Sequence, residues 1–151
     1  MVKLGRHGGA LLTGVVFAMV LGAEAATAQS LPSGWTSRDV GSPTVPGNSQ
    51  TSGGSYLVEG AGIDITGTSD QFQYCYRSIS GDFDIRGQVA AMQDTSAGSK
   101  FGLMFRESMN ATSRNVFVLL SAERQLGLQW RSKTGRSTSG VTGATTTMPA
   151  W

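Results

Sequence analysis

The sequence predicts an all-β sandwich, and three observations carry that expectation. Polar and apolar residues alternate at a period of two along the longest ordered-looking stretch, Gly81 to Ser108. The apolar runs elsewhere are short and are set apart by Gly, Pro, Asn and Ser, with 21 glycines in 151 residues. Neither arm of the central stretch fits a helical repeat.

Within that stretch Phe83, Ile85, Val89 and Ala91 share one face, while Asp82, Asp84, Arg86, Gln88 and Met92 share the other. A small-residue loop from Gln93 to Ser99 follows. Phe101, Leu103 and Phe105 then alternate with Lys100, Gly102, Met104 and Arg106. The expectation is two long strands around a polar loop, with the rest of the chain laid against them.

The chain begins with Lys3, Arg6 and His7, then an apolar run from Ala10 to Gly22, then small residues from Ala23 to Ala28. That is the layout of a secretory leader, with Ala-x-Ala processing sites ending at Ala25 or Ala28. A retained amphipathic anchor is the alternative reading. Residues 1–28 are therefore read as a signal peptide and residues 29–151 as one domain. Cys75 is the only cysteine, so an exported chain has no internal disulfide. The whole chain carries a formal charge of +2, and without Lys3, Arg6 and Glu24 it is closer to neutral. No Lys/Arg cluster suggests a nucleic-acid partner.

Leu31 to Ser55 is rich in Ser, Thr, Gly and Pro, but Trp35 and Val40 call for burial, so an edge strand followed by a loop is expected. Weakly alternating Ser55 to Glu59 and a Gly60–Gly62 turn lead into Ile63 to Thr66. Asp70 to Ser78 places Phe72, Tyr74 and Tyr76 on one face and Gln71, Gln73, Cys75 and Arg77 on the other. Such an aromatic stripe is most simply core, although aromatic rings also pack against the apolar faces of sugars. Cys75 reads as a small apolar strand residue.

Asp82 and Asp84 lie on one strand face with Arg86, about 7 Å apart per step. They are a candidate calcium pair or acid/base pair; the simpler reading is a solvated row in which Arg86 neutralises Asp84. Asn110-Ala111-Thr112 is a glycosylation sequon of low specificity. Asn115 to Ala122 is apolar on both faces and should be a central strand. Leu126 to Arg131 completes a hairpin in which Trp130 shares a face with Leu126 and Leu128. Ser132 to Thr147 reads as a loop.

The segments Gly34-Trp35-Thr36, Asp39-Val40-Gly41-Ser42-Pro43, Gly67-Thr68-Ser69-Asp70-Gln71-Phe72, Ser80-Gly81-Asp82 and Gly102-Leu103-Met104-Phe105-Arg106-Glu107-Ser108 resemble a bacterial secreted family of concanavalin A-like, laminin G-like jelly-roll domains. The resemblance spans nearly all of residues 29–151. It departs at Thr66, where the family often has an aromatic, and at Cys75, where it has an aliphatic residue. It implies a jelly-roll sandwich in a glycosidase or surface-protein context. It also implies further strands after Trp151, so the chain is expected to be a C-terminally partial domain, with completion by a second chain as the alternative.

The family offers no catalytic set to carry over. His7, the sole histidine, lies in the leader, which excludes a Ser-His-Asp or histidine-metal site from residues 29–151. A non-catalytic carbohydrate-binding module is the leading expectation, with Gln71, Tyr74, Tyr76, Arg106, Glu107 and Trp130 as candidate ligand contacts. A strand-end ion pair is the simpler role for Arg106 and Glu107. An adhesive or structural surface domain is the alternative function, and a glycoside hydrolase fragment a more distant one. No cofactor is expected beyond calcium at Asp82 and Asp84, and the expected location is extracellular or periplasmic.

Overall fold

The computed structural model describes residues 3–6, 10–16, 28–93 and 95–151. Among these residues the fold is all-β and antiparallel, with no helix, consistent with a β-sandwich. Among the described residues no helix is long and apolar enough to cross a membrane. His7 and the processing site ending at Ala25 lie outside the described residues.

The described residues form thirteen strands: β1 (Lys3–Arg6), β2 (Ala10–Val16), β3 (Thr36–Val40), β4 (Asn48–Ser52), β5 (Ser55–Glu59), β6 (Ile65–Thr66), β7 (Ser69–Asp70), β8 (Phe72–Ser80), β9 (Phe83–Arg86), β10 (Lys100–Arg106), β11 (Asn115–Ser121), β12 (Gln125–Arg131) and β13 (Ser139–Thr145). Seven of them make the main sheet, in the order β13-β12-β11-β10-β2-β8-β3. Separate two-stranded pairs are β1-β9, β4-β5 and β6-β7.

The period of two gives the main sheet two apolar faces. On one, Val40, Ile65, Phe72, Tyr74, Met104, Phe117 and Leu119 form a buried cluster. On the other, Val58 and Cys75 gather Leu31, Trp35, Tyr56 and Phe101, with the β4-β5 hairpin as their cover. Further along that second face, Met92, Leu120, Ala122 and Ala150 form a third cluster, closed by the paired backbones of Val89 and Ala150. Cys75 is wholly buried and acts as a small apolar residue.

Several expectations hold. β3 is an edge strand, β11 lies between β10 and β12, and Phe72 and Tyr74 are core. Others need correction. The arms of the Gly81–Ser108 stretch do not pair with one another: β9 is only four residues long and pairs with β1, whereas β10 pairs with β2 and β11. Alternation sets which side chains share a face, but carries no information about which strand lies alongside.

Ser132 to Thr147, read as a loop, contains β13, and the loop expected before Ser55 contains β4. Both are Ser/Thr/Gly-rich strands that gain their order from a neighbour's backbone rather than from apolar side chains. The apolar run read as a leader supplies β2, an interior strand of the main sheet between β10 and β8.

Candidate functional site

A cleft of about 150 Å³ lies between the Gly60–Ile65 strip, the start of β8 and the loop entering β10. Its lining combines Asp64, Gln71, Gln73, Thr95, Ser99 and Lys100 with the apolar residues Val58, Ile65, Phe72 and Phe101; the Phe72 ring itself belongs to the core on the opposite sheet face from Phe101. Ile63 stands at its rim, 87% exposed.

The cleft exists because glycine lets one backbone approach another. A Cβ at Gly62 would lie 2.0 Å from the carbonyl oxygen of Gln71, and one at Gly60 would lie 2.4 Å from the Gln73 Cβ. Only glycine allows this strip to press against β8. Gln71 then pins it: its Nε2 donates to Ser42 O at 2.8 Å, and its Oε1 accepts from the Ile63 amide at 3.2 Å.

Asp64 projects from the strip and meets Lys100 at the start of β10, with Nζ to Oδ1 at 2.6 Å. Both side chains are partly exposed, so each keeps capacity for a third group. Deeper in, the Gln73 amide nitrogen donates to Ser37 Oγ at 2.7 Å and Ser49 Oγ at 3.0 Å. Its Oε1 is buried and, among the described residues, receives no donor. That oxygen lies against Gly47, on the side of β8 that carries Ser37 and Ser49.

The residues singled out from the sequence fall in different places. Gln71 lines this cleft. Tyr74 and Arg106 are fully buried, so neither is free to meet a ligand. The Tyr74 hydroxyl donates to Met104 O at 3.0 Å, and its ring stacks with half-buried Tyr76 at 5.3 Å between centroids. Burial raises the Tyr74 hydroxyl pKa far above its ordinary value.

Arg106 does not pair with Glu107. It reaches Asp70 Oδ2 at 3.2 Å, donates to Ser108 O and Asn110 O, and lies 5.3 Å from the Phe72 ring centroid. Glu107 is exposed and meets Arg114 at 3.5 Å. The reason lies in the alternation itself: Arg106 shares the inward face with Met104, so adjacent Glu107 points elsewhere.

Asp84 is exposed and takes two hydrogen bonds from Arg86, at 2.8 and 3.1 Å, matching the solvated-row reading. Asp82 is exposed beside it. Among the described residues no three His, Cys, Asp or Glu side chains gather as metal ligands would.

Trp130 is half-buried on β12 and faces the cross-strand neighbour Val116. Around them the same sheet face carries Val118, Leu128 and Val141, with Val116, Val118 and Val141 exposed. This patch holds almost no hydrogen-bonding side chains.

No known family model, curated protein or solved structure matches this chain. The functional reading therefore rests on the site itself.

Sequence reasoning missed Asp64, Lys100 and Gln73. The available signals were the paired glycines Gly60 and Gly62 just ahead of an acidic residue, and a lysine at the mouth of a polar loop. It also missed Asp70 and Arg131 as partners, since nothing in a linear sequence announces a contact across 61 positions.

Proposed function

We propose that the chain is an exported, non-catalytic binding module whose ligand is a glycan, seated in the cleft between Asp64, Gln71 and Lys100. One observation carries this reading: the partly exposed Asp64–Lys100 ion pair stands in one cleft with the Gln71 amide and the apolar Phe101. Sugars present that combination in reverse, with hydroxyls that donate to carboxylate and carbonyl oxygens, accept from an ammonium, and sit on apolar ring faces. The volume is below the roughly 300–1,000 Å³ of drug-sized pockets, which favours a terminal monosaccharide unit over a long chain segment. A concanavalin A-like jelly roll is the specific sandwich we assign, on the sequence resemblance described above.

The test is a glycan array with the full chain, alongside Lys100→Ala and Asp64→Asn. Retention by the wild type of glycans sharing one terminal sugar, lost in both variants, supports the reading. Equal retention by all three proteins removes the cleft from consideration.

The adhesive alternative is favoured by a separate observation, the exposed apolar face of Val116, Val118 and Val141 around Trp130. A contiguous apolar patch with few polar groups suits another protein surface better than a sugar.

A further inference from the structure

β2 lies between β8 and β10 and is antiparallel to both, with Ala10 to Val15 opposite Ser80 to Cys75, and Leu12 to Val16 opposite Arg106 to Gly102. β8 and β10 therefore run parallel to each other on either side of it. They cannot close as a simple hairpin. The same seven residues form part of the run read as an export leader, so one segment has two incompatible fates: removal, or a place in the middle of the main sheet.

The width of the gap does not depend on β2 alone. On one face the Tyr74 hydroxyl, from β8, donates to the backbone oxygen of Met104 on β10. On the other face Cys75 from β8 and Phe101 from β10 belong to one cluster built on Val58. These two ties hold β8 and β10 about two strand spacings apart, roughly 9.5 Å. Two facing rows of backbone donors and acceptors, with a fixed gap between them, are the requirements of strand addition.

We propose that the gap between β8 and β10 is a strand-acceptor site whose occupant is the leader segment Ala10–Val16, which stays seated as a separate strand after the chain is cut behind it. The register supplies selectivity as well as affinity. Gly14 occupies the position opposite both Tyr76 and Met104, whose side chains share its sheet face. A residue with a long side chain at that position would compete with them for the same sheet face. Emptying the gap would leave both rows of backbone groups without partners, and a buried unpaired peptide group is costly.

The test uses the full chain, folded and then cut at a protease site engineered into residues 25–28. The cut protein is run on gel filtration. It is then exposed to mild urea, diluted into a hundredfold excess of a labelled synthetic peptide spanning Ala10–Val16, and run again. A parallel sample receives the same peptide with Gly14→Leu.

The account expects the cut fragment to co-elute with the remainder, the labelled peptide to replace it at one per chain, and the Gly14→Leu peptide to incorporate at least tenfold less. Loss of the fragment on the first column, failure of the labelled peptide to enter, or equal uptake of both peptides each overturns the proposal. A peptide of unrelated apolar sequence entering as well as the native one counts with the last of these, since it makes the gap a nonspecific apolar surface.

Discussion

Arg131 and Asp70 form a bidentate pair with no solvent exposure, Nη2 to Oδ1 at 2.6 Å and Nη1 to Oδ2 at 2.8 Å, joining β12 to β7. Arg106 of β10 adds a second guanidinium to the same carboxylate, and the Asn115 amide adds a further donor at 3.1 Å. The remaining guanidinium hydrogens go to backbone oxygens of Ser108, Asn110, Ser113, Gly67 and Arg136. Burial lowers the Arg106 pKa and the Asp70 charge opposes that shift. Around this one carboxylate four strands, β7, β10, β11 and β12, meet the three connections β6–β7, β10–β11 and β12–β13.

Removing that carboxylate leaves two buried guanidinium groups without an anion. Asp70→Asn is expected to destabilise the fold by about 3–5 kcal/mol, the usual consequence of breaking a buried pair from one side. Urea unfolding measures it. The exposed Glu107–Arg114 pair is the contrast: Glu107→Gln should change stability by less than about 1 kcal/mol. Similar losses in the two variants would contradict the assignment of the buried pair as the organising contact.

Gly102 of β10 lies opposite Leu119 of β11. A Cβ there would stand 1.9 Å from Val118 O and 2.8 Å from the Leu119 Cα. Both neighbours are backbone, so neither can yield as a flexible side chain would. Gly102→Ala is expected to lower stability by about 1–3 kcal/mol or more, read by thermal melting. Gly98→Ala, whose nearest neighbour is the Ser96 hydroxyl at 3.9 Å, should have no comparable effect.

These two sites mark what the sequence could tell. Alternation placed Phe72 and Tyr74 inside and made β8, β10, β11 and β12 legible, because burial on one face leaves a period of two in the residues themselves. On β10 it pointed to the wrong face, since Met104 and Arg106, grouped there with Lys100, are the fully buried side chains while Phe101, Leu103 and Phe105 are only partly buried. Pairing partners were not legible: β9 against β1 and β2 between β8 and β10 follow from tertiary placement. Nor was the Asp70–Arg106–Arg131 group, since Arg106 beside Glu107 looks in sequence like a local ion pair. Strands such as β13, with no apolar stripe and every residue exposed, leave almost no trace. The cleft was half visible, through Gln71 alone.

Cys75 gives the fold an alkaline limit. Burial pushes its thiol from an ordinary 9.0 up to about 11, with a hydrogen bond to Ser49 pulling the other way. Between those values the folded chain keeps a proton that the unfolded chain has lost, so stability falls as pH rises from about 9 toward 11. Burial also raises Tyr56 and Tyr74 above their ordinary 10.0, adding to the loss at higher pH. Cys75→Ala should move the onset of the decline from about pH 9 to about pH 10, in urea titrations at stepped pH. An unchanged onset would contradict this origin.

Lys100 and Asp64 separate binding from stability. Their pair is partly exposed, so Lys100→Ala should alter folding stability by no more than about 1 kcal/mol. The same substitution should weaken glycan binding at least tenfold, because the ammonium is the cleft's only cationic donor among its lining residues. Calorimetric melting and a binding titration on one preparation check both halves. A large fall in melting temperature with binding intact would assign the pair to the fold instead.

The most direct measurement of the central claim is an amide NMR titration of the isotopically labelled full chain with the monosaccharide that ends the retained glycans. Saturable shifts are expected at Ile63, Asp64, Gln71, Ser99 and Lys100, with Val116, Val118 and Trp130 unmoved. Shifts confined to the Trp130 face, or no saturable shifts at all, would contradict it.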